Sequence, residues 1–352
     1  MYESIIQLNL HDKKKRAEWM TFMKSLGIAD FSDKEVDAID FTLGMYDGDQ
    51  LVGTGSASGN VLKYIGVCNK GVTQGSRFNA IINALTSRLY QDQVFHILVF
   101  TKLKYSESFQ HLGFTELAHT ELAAFLETGS PNLTDYLAEL PKIDQPDRQK
   151  IAGIVMNANP FTNGHRFLVE SAAKESDWVY VFVVSTDASL FTTQERVKLV
   201  KEGLSDLQNV MVVDGGAYMV SYATFPSYFL PSNVNNVTYQ TMMDARIFRD
   251  QIAPALHIGT RYVGTEPLSK TTNIYNQTLL KELPPKVNVK EIQRNKNESG
   301  QYITATNVRR AIQEGDVTKV KDSLPTSTYQ FIKDHLGILQ SRIKKGMNID
   351  GN

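Results

Sequence analysis

The sequence predicts a two-domain α/β chain: an α+β domain followed by a domain built on a parallel sheet. Three observations predict it. The 352 residues exceed what one core usually serves, at about 100–200 residues per domain. A proline- and charge-rich stretch, LPKIDQPDRQK at 140–150, separates two apolar-patterned segments. Before it the strand signal is a hairpin, and after it the signal is a continuous apolar run followed by helical spacing. The boundary is placed near Asp147, giving domains 1–146 and 147–340, with a polar, glycine-ended tail 341–352 read as frayed.

In the first domain, residues 41–46 and 50–57 read as strands joined by the Asp47-Gly48-Asp49 turn. Residues 64–69 follow as a strand. In GVTQGSRFNAIINALTSRLYQ, Phe78, Ile81, Ile82, Leu85 and Leu89 recur at helical spacing behind a glycine-containing loop. Residues 95–101 read as a strand, and SESFQHLGF as a short helix stopped at Gly113 before another strand. Over about residues 1–140 this order resembles the GNAT acyltransferase family. That family's acyl-CoA loop, Q/R-x-x-G-x-G/A, falls on Val72-Thr73-Gln74-Gly75-Ser76-Arg77. Gly75 stays in register, whereas Val72 replaces Gln or Arg and Arg77 replaces a small residue. The resemblance implies either an acetyltransferase or a domain of that shape that only binds or positions a ligand, and no catalytic residue is assigned in it.

The second domain opens with IAGIVMNANPFTNGHRFLVESAAKESDWVYVFVVS. Residues 151–156 suit a strand buried on both faces, and Asn157-Ala158-Asn159-Pro160 breaks it. A helix starting around Thr162, with Phe167, Leu168 and Ala172 on its buried side, leads to a second buried strand at 178–185. This is a βαβ unit. Its crossover puts the helix N-terminus at the carboxyl edge of the sheet, where open α/β folds hold ligands.

The turn and first helical turn spell Asn159-Pro160-Phe161-Thr162-Asn163-Gly164-His165. A phosphate group held at a helix start carries negative charge on its oxygens, which preorganised donors must meet. Thr162 offers a hydroxyl and His165 an imidazole N–H, three residues apart on one helical face. Gly164 keeps the backbone open toward the helix amides, and Asn159 and Phe161 shape the entrance. A threonine N-cap with an incidental histidine is the plain alternative for so short a pattern. The surrounding βαβ unit favours the phosphate reading.

T-N-G-H resembles the signature of the nucleotidylyltransferase (HIGH) superfamily, which implies a Rossmann-like parallel sheet. Downstream, Ile303-Thr304-Ala305-Thr306-Asn307-Val308-Arg309 resembles its late I-S-S-T-x-x-R motif. The hydroxyls of Thr304 and Thr306 at a helix start, with Arg309 one turn in, would clamp the β- and γ-phosphates of ATP. Arg310 is read as solvated. The resemblance makes Arg261-Tyr262-Val263-Gly264-Thr265-Glu266-Pro267 the lining of the adenosine pocket, with Gly264, Thr265 and Glu266 as candidate contacts. Lys270 and Thr272 could reach phosphate, though nothing in the sequence requires it, and Asp244 is read as a solvated carboxylate with a metal or substrate contact as the alternative.

A GNAT-like domain ahead of these motifs, together with SYATFPSYF at 221–229 and GTEPLSKTTNIYN at 264–276, resembles the citrate (pro-3S)-lyase ligase family. That family implies ATP and Mg²⁺, acetate, and a protein partner: the citrate lyase acyl carrier subunit with its dephospho-CoA-derived thiol group. It implies an acetyl adenylate with Thr162, His165 and Arg309 at the reacting phosphate, and Mg²⁺ escorting pyrophosphate, with no metal ligand assigned. The segment 222–229 is a candidate acetate and pantetheine pocket, and the first domain a candidate dock for the prosthetic group. Two other readings stand beside this one: an adenylyltransferase acting on a phosphopantetheine-like precursor, and a non-catalytic sensor.

Composition narrows the rest. Lys plus Arg number 37 against 38 Asp plus Glu, a net charge of −1, so no cationic excess is available for a nucleic-acid backbone. Cys68 is alone, which excludes an intrachain disulfide and suits a reducing compartment. The start, MYESIIQLNLHDKKKR, puts its apolar stretch before its basic one, the wrong order for a secretory signal. No apolar run is long enough to cross a bilayer. A cytoplasmic protein without membrane contact is the expectation.

Overall fold

A computed structural model of the chain describes residues 3–28, 31, 33–185, 189–219, 228, 235–265, 269–294, 302–347 and 349–350. It divides into two compact units, Met1–Ala138 with Phe225–Tyr239, and Glu139–Thr224 with Gln240–Asn352. Among the described residues no helix is long and apolar enough to cross a membrane.

The first unit holds strands β1 (Ser4–Leu8), β2 (Phe41–Asp47), β3 (Gln50–Ser58), β4 (Val61–Val67), β5 (His96–Lys102), β6 (Thr115–His119) and β7 (Ala123–Gly129). They form one sheet in the order β1-β2-β3-β4-β5-β7-β6. Its pairs are antiparallel except β4 with β5, which run parallel and pair only at Val61 with Leu98 and Leu62 with Val99. The helix Ser76–Gln91 lays Ile81, Ile82, Leu85 and Leu89 into the sheet's core. Gly75 enters that helix at φ +86, a left-handed conformation that side chains rarely adopt.

Among the elements that the sequence reading passes over are β1 and the helix Lys13–Ser25. The latter is charged and buries only Trp19 and Met23, so its apolar stripe is one residue per turn. It is held by its Asp12 cap, which accepts from the amides of Lys14 and Lys15, and by the indole N–H of Trp19 donating to Thr54 Oγ1 at 3.1 Å.

Arg77, standing where the acyl-CoA loop pattern has a small residue, is 2% exposed. Its Nε donates to Glu3 Oε1 at 2.8 Å, and Nη1 donates to the carbonyls of Cys68 and Lys70. The guanidinium therefore fills the loop and turns carbonyls inward. Of the segment 222–229, only Tyr228 is described. It stacks on Tyr64 with centroids 4.0 Å apart, and its hydroxyl accepts the Tyr64 amide at 2.7 Å, within the first unit.

The second unit carries β8 (Ile151–Met156), β9 (Trp178–Val183), β10 (Val210–Asp214), β11 (Ile258–Gly264) and β12 (Asn288–Ile292). All are parallel, in the order β10-β9-β8-β11-β12. Chain progression reverses between β8 and β11, and a crevice opens at the carboxyl edge of such a reversal. One face of the sheet packs Val169 and Ala172 of the helix Asn163–Glu175 and Val308 and Ile312 of the helix Ala305–Glu314 into a single core. The chain past residue 340 continues the helix Leu336–Lys344, with Leu339 buried and Met347 packed on the same core. Ile349 and Asp350 then lie against Arg309 and Arg310.

Candidate active site

The turn after β8 is built from buried polar struts. Asn159, expected at an entrance, is buried: its Oδ1 accepts the Phe191 amide at 3.2 Å and its carbonyl accepts Arg309 Nη1 at 2.6 Å. Phe161 is also fully buried, with its ring 5.9 Å from that of His165 and nearly parallel to it. Both residues support the site from behind.

The helix Asn163–Glu175 starts on Thr162, and Thr162 and His165 form a reciprocal capping pair. The Thr162 amide lies 3.1 Å from His165 Nδ1, and its hydroxyl 2.9 Å from the same nitrogen. A backbone N–H can only donate, so Nδ1 is the acceptor. The proton of the neutral ring is therefore on Nε2. Thr162 holds the His165 ring and spends its own hydroxyl inside the turn.

Burial, followed by the charges of Arg294 and Arg309, pushes His165 down to about 4. The imidazole is thus a neutral donor across the physiological range. Between pH 6.5, its unperturbed value, and about 4, the unfolded chain binds a proton here that the folded chain refuses. Stability then falls as the pH drops through that window and is fully present above it. Allowing for the part of the ring that solvent reaches, the loss is on the order of 2 kcal/mol. Urea midpoints at pH 7 and pH 4.5 are expected to drop more in the natural chain than in His165→Gln.

The two sequence motifs meet here. A Cβ on Gly164 would sit 3.5 Å from the Ile303 carbonyl, so the late motif packs on the first turn of the helix and Gly164 faces it. Thr304 caps the helix Ala305–Glu314 by accepting the Asn307 amide at 3.1 Å, and Thr306 Oγ1 accepts Arg309 Nη2 at 3.1 Å. Arg309 is buried, and burial lowers its pKa to about 10. Across the crevice, a Cβ on Gly264 would meet nothing within 4 Å. The Thr265 amide donates to the Ile292 carbonyl, and Thr265 Oγ1 accepts the Arg294 amide at 3.1 Å. Glu266 lies outside the described residues, as does the side chain of Lys270, while Thr272 donates its hydroxyl to Ser269.

Sequence reasoning misses Arg294, which follows β12 and acts electrostatically on His165. An isolated Arg in a polar stretch gives no local signal. It also misses Arg196, which lies on a helix far from either motif. Arg196 has no exposed surface, and its Nη1 donates to Asn157 O and Oδ1 at 2.8 and 2.9 Å while Nε donates to Phe191 O at 3.1 Å. It ties the ends of β8 and of the loop after β9 together. Asp244 is buried instead of solvated, bonded to the Tyr275 hydroxyl at 2.9 Å and to Arg261 at 3.3 Å. Among the described residues no three His, Cys, Asp or Glu side chains converge to hold a metal.

Gly203, the last residue of the helix Thr193–Gly203, lies against Phe161: a Cβ there would be 2.6 Å from its ring. Gly203→Ala must displace a ring that has no free space. It is expected to cost about 1–3 kcal/mol in a thermal melt and to raise the KM for ATP through His165.

The family model for the citrate lyase ligase C-terminal domain matches residues 151–332. A citrate (pro-3S)-lyase ligase of Klebsiella pneumoniae is 37% identical over 289 residues, which is 80% of this chain and 84% of that protein. The Escherichia coli K12 protein of the same name is 32% identical over 334 residues, 92% of each chain. Solved structures that align with part of the chain include a bifunctional NMN adenylyltransferase/ADP-ribose pyrophosphatase from Francisella tularensis, at 15% identity and TM-score 0.37, covering 56% of this chain and 53% of that one. An N-acetyltransferase from Staphylococcus aureus Mu50 aligns at 15% identity and TM-score 0.32, covering 38% of this chain and all of the other.

Proposed function

The chain belongs to the citrate lyase ligase family, and from that premise we propose that it is an ATP-dependent acid–thiol ligase that activates citrate lyase by acetylation. Its substrates are ATP, acetate and the thiol prosthetic group of the lyase's acyl carrier subunit, and its products AMP, pyrophosphate and the acetylated carrier.

The triphosphate seats at the first turn of the helix Asn163–Glu175, where free amides meet anionic oxygen. A carboxylate oxygen of acetate attacks the α-phosphorus, the bond to the bridging oxygen breaks, and pyrophosphate leaves. His165 donates a hydrogen bond from Nε2–H to the charge that develops on the α-phosphate, and because the ring is neutral it keeps that proton throughout the step. Arg309 and Arg294 supply the fixed positive charge. Mg²⁺ neutralises phosphate oxygens when bound with ATP. The carrier thiolate then attacks the acetyl carbon, the bond to the AMP oxygen breaks, and the thiol proton goes to solvent.

The observation that carries this reading is the His165 ring, held by Thr162 so that its one proton faces away from the turn. We assign the first unit the docking of the carrier's prosthetic group. The closed loop around Arg77 argues that this unit does not grip a pyrophosphate in the acyl-CoA manner.

Incubation with ATP, acetate and the thiol form of the carrier should give an acetyl thioester with one AMP per acetyl group. Incubation with ATP and phosphopantetheine should give no adenylylated product. Transfer of AMP to phosphopantetheine, with no acetylation of the carrier, would replace the ligase reading with that of an adenylyltransferase.

A further inference from the structure

Arg309 presents a conflict between its place and its partners. As the arginine of the late motif it is the candidate phosphate clamp, yet it has no exposed surface. Its guanidinium is engaged on every side: Nη1 donates to Asn159 O at 2.6 Å, Nη2 to Thr306 Oγ1 at 3.1 Å, and Nε to Ile349 O at 2.7 Å. The first partner belongs to the nucleotide turn, and the second lies one helical turn away in the same motif. The third comes from 40 residues farther along the chain. Beside it, Asp350 Oδ1 accepts Arg310 Nη2 at 2.8 Å and Nε at 3.2 Å.

A carbonyl and a carboxylate thus cover two adjacent arginines in the second turn of the helix Ala305–Glu314. Asn159 cannot leave Arg309 without undoing the turn itself, and Thr306 can stay while another oxygen approaches. Ile349 is the partner that can yield. The Arg310–Asp350 pair is more than half exposed on both sides, and such pairs are weak enough for a polyanion to break.

We propose that the segment Ile349–Asp350 is an internal latch, a stand-in anion that occupies the Arg309–Arg310 pair until the triphosphate of ATP displaces it. The proposal rests on the reading of Arg309 as a phosphate ligand. On binding, phosphate oxygen takes the Nε donor that Ile349 vacates, and Asp350 leaves because its charge repels the incoming phosphates. Met347, whose amide donates to the Arg342 carbonyl at 3.2 Å, marks where the released chain stays anchored.

The test is hydrogen exchange on the full chain, read by mass spectrometry with and without α,β-methylene-ATP, which cannot lose pyrophosphate. Peptides covering 157–165 are expected to exchange more slowly with the analogue, and those covering 346–350 at least fivefold faster. Slower or unchanged exchange at 346–350, with 157–165 protected, overturns the latch and leaves the nucleotide site standing. Absence of protection at 157–165 overturns the nucleotide reading and the latch with it. As a second measurement, Asp350→Asn should bind the analogue two- to fivefold tighter. Equal or weaker binding contradicts the latch.

Discussion

His165→Ala is expected to lower the rate of carrier acetylation by about 10²–10³-fold, the cost of losing one preorganised donor to a developing oxyanion. The loss should appear in kcat more than in the KM for ATP, because the charge met by Nε2–H is greatest in the transition state. His165→Gln keeps an amide N–H at comparable reach and should recover part of the rate. Stability should change little, since the alanine variant keeps the Thr162 hydroxyl as cap and loses only the reciprocal half of the capping pair, about 1 kcal/mol. A pH–rate profile of the natural chain should show no inflection near 6.5, because the ring is already neutral there. Steady-state acetylation assays from pH 5.5 to 8 measure both effects. An alanine variant with unchanged kcat would remove the histidine from the reaction.

Arg309→Met should be the most damaging substitution overall. It removes positive charge from the triphosphate and at once leaves the buried carbonyl of Asn159 without its donor. Orphaning a buried acceptor costs about 1–3 kcal/mol, so the melting temperature should fall together with a rate loss of at least 10²-fold, comparable to the loss of one fixed electrostatic donor. Arg309→Lys should not rescue either. One ammonium on a flexible stem cannot serve Asn159, Thr306 and a third oxygen in three directions as a planar guanidinium does. Thermal melts and acetylation rates on the same preparations separate the structural loss from the catalytic one: a variant with native melting and native rate would leave Arg309 without either role.

The part of this architecture that local chemistry writes into the chain is the β8–turn–helix–β9 unit. Four signals agree there: an apolar run too short for a helix, an Asn-Pro break, a threonine cap and an apolar helical face. The pairing of the first motif with residues 303–309 is legible only through the family resemblance, since hydroxyls and an arginine at helical spacing equally describe a capped helix with a solvated arginine. What Thr162 does was less so. Its residue type allows a phosphate donor or a cap, and the choice is made by the fold of the turn, which puts its hydroxyl against Nδ1 of His165. Asn159, Phe161 and Arg309 look like surface chemistry in sequence but are buried, because each side chain or carbonyl finds its partner more than 30 residues away. Arg196 and Arg294 are invisible for the same reason. The helix Lys13–Ser25 was missed because one buried residue per turn falls below any periodic signal, and the grouping of residues 225–239 with the first unit has no local cause at all.

The exchange of labelled pyrophosphate into ATP, with and without acetate and with no carrier present, bears most directly on the chemistry assigned to the turn after β8. Exchange that requires acetate is the expected result, since only a reversible attack of the carboxylate on the α-phosphorus links the two pools. No exchange at saturating acetate, or exchange of equal rate without it, would contradict the formation of an acetyl adenylate at this site.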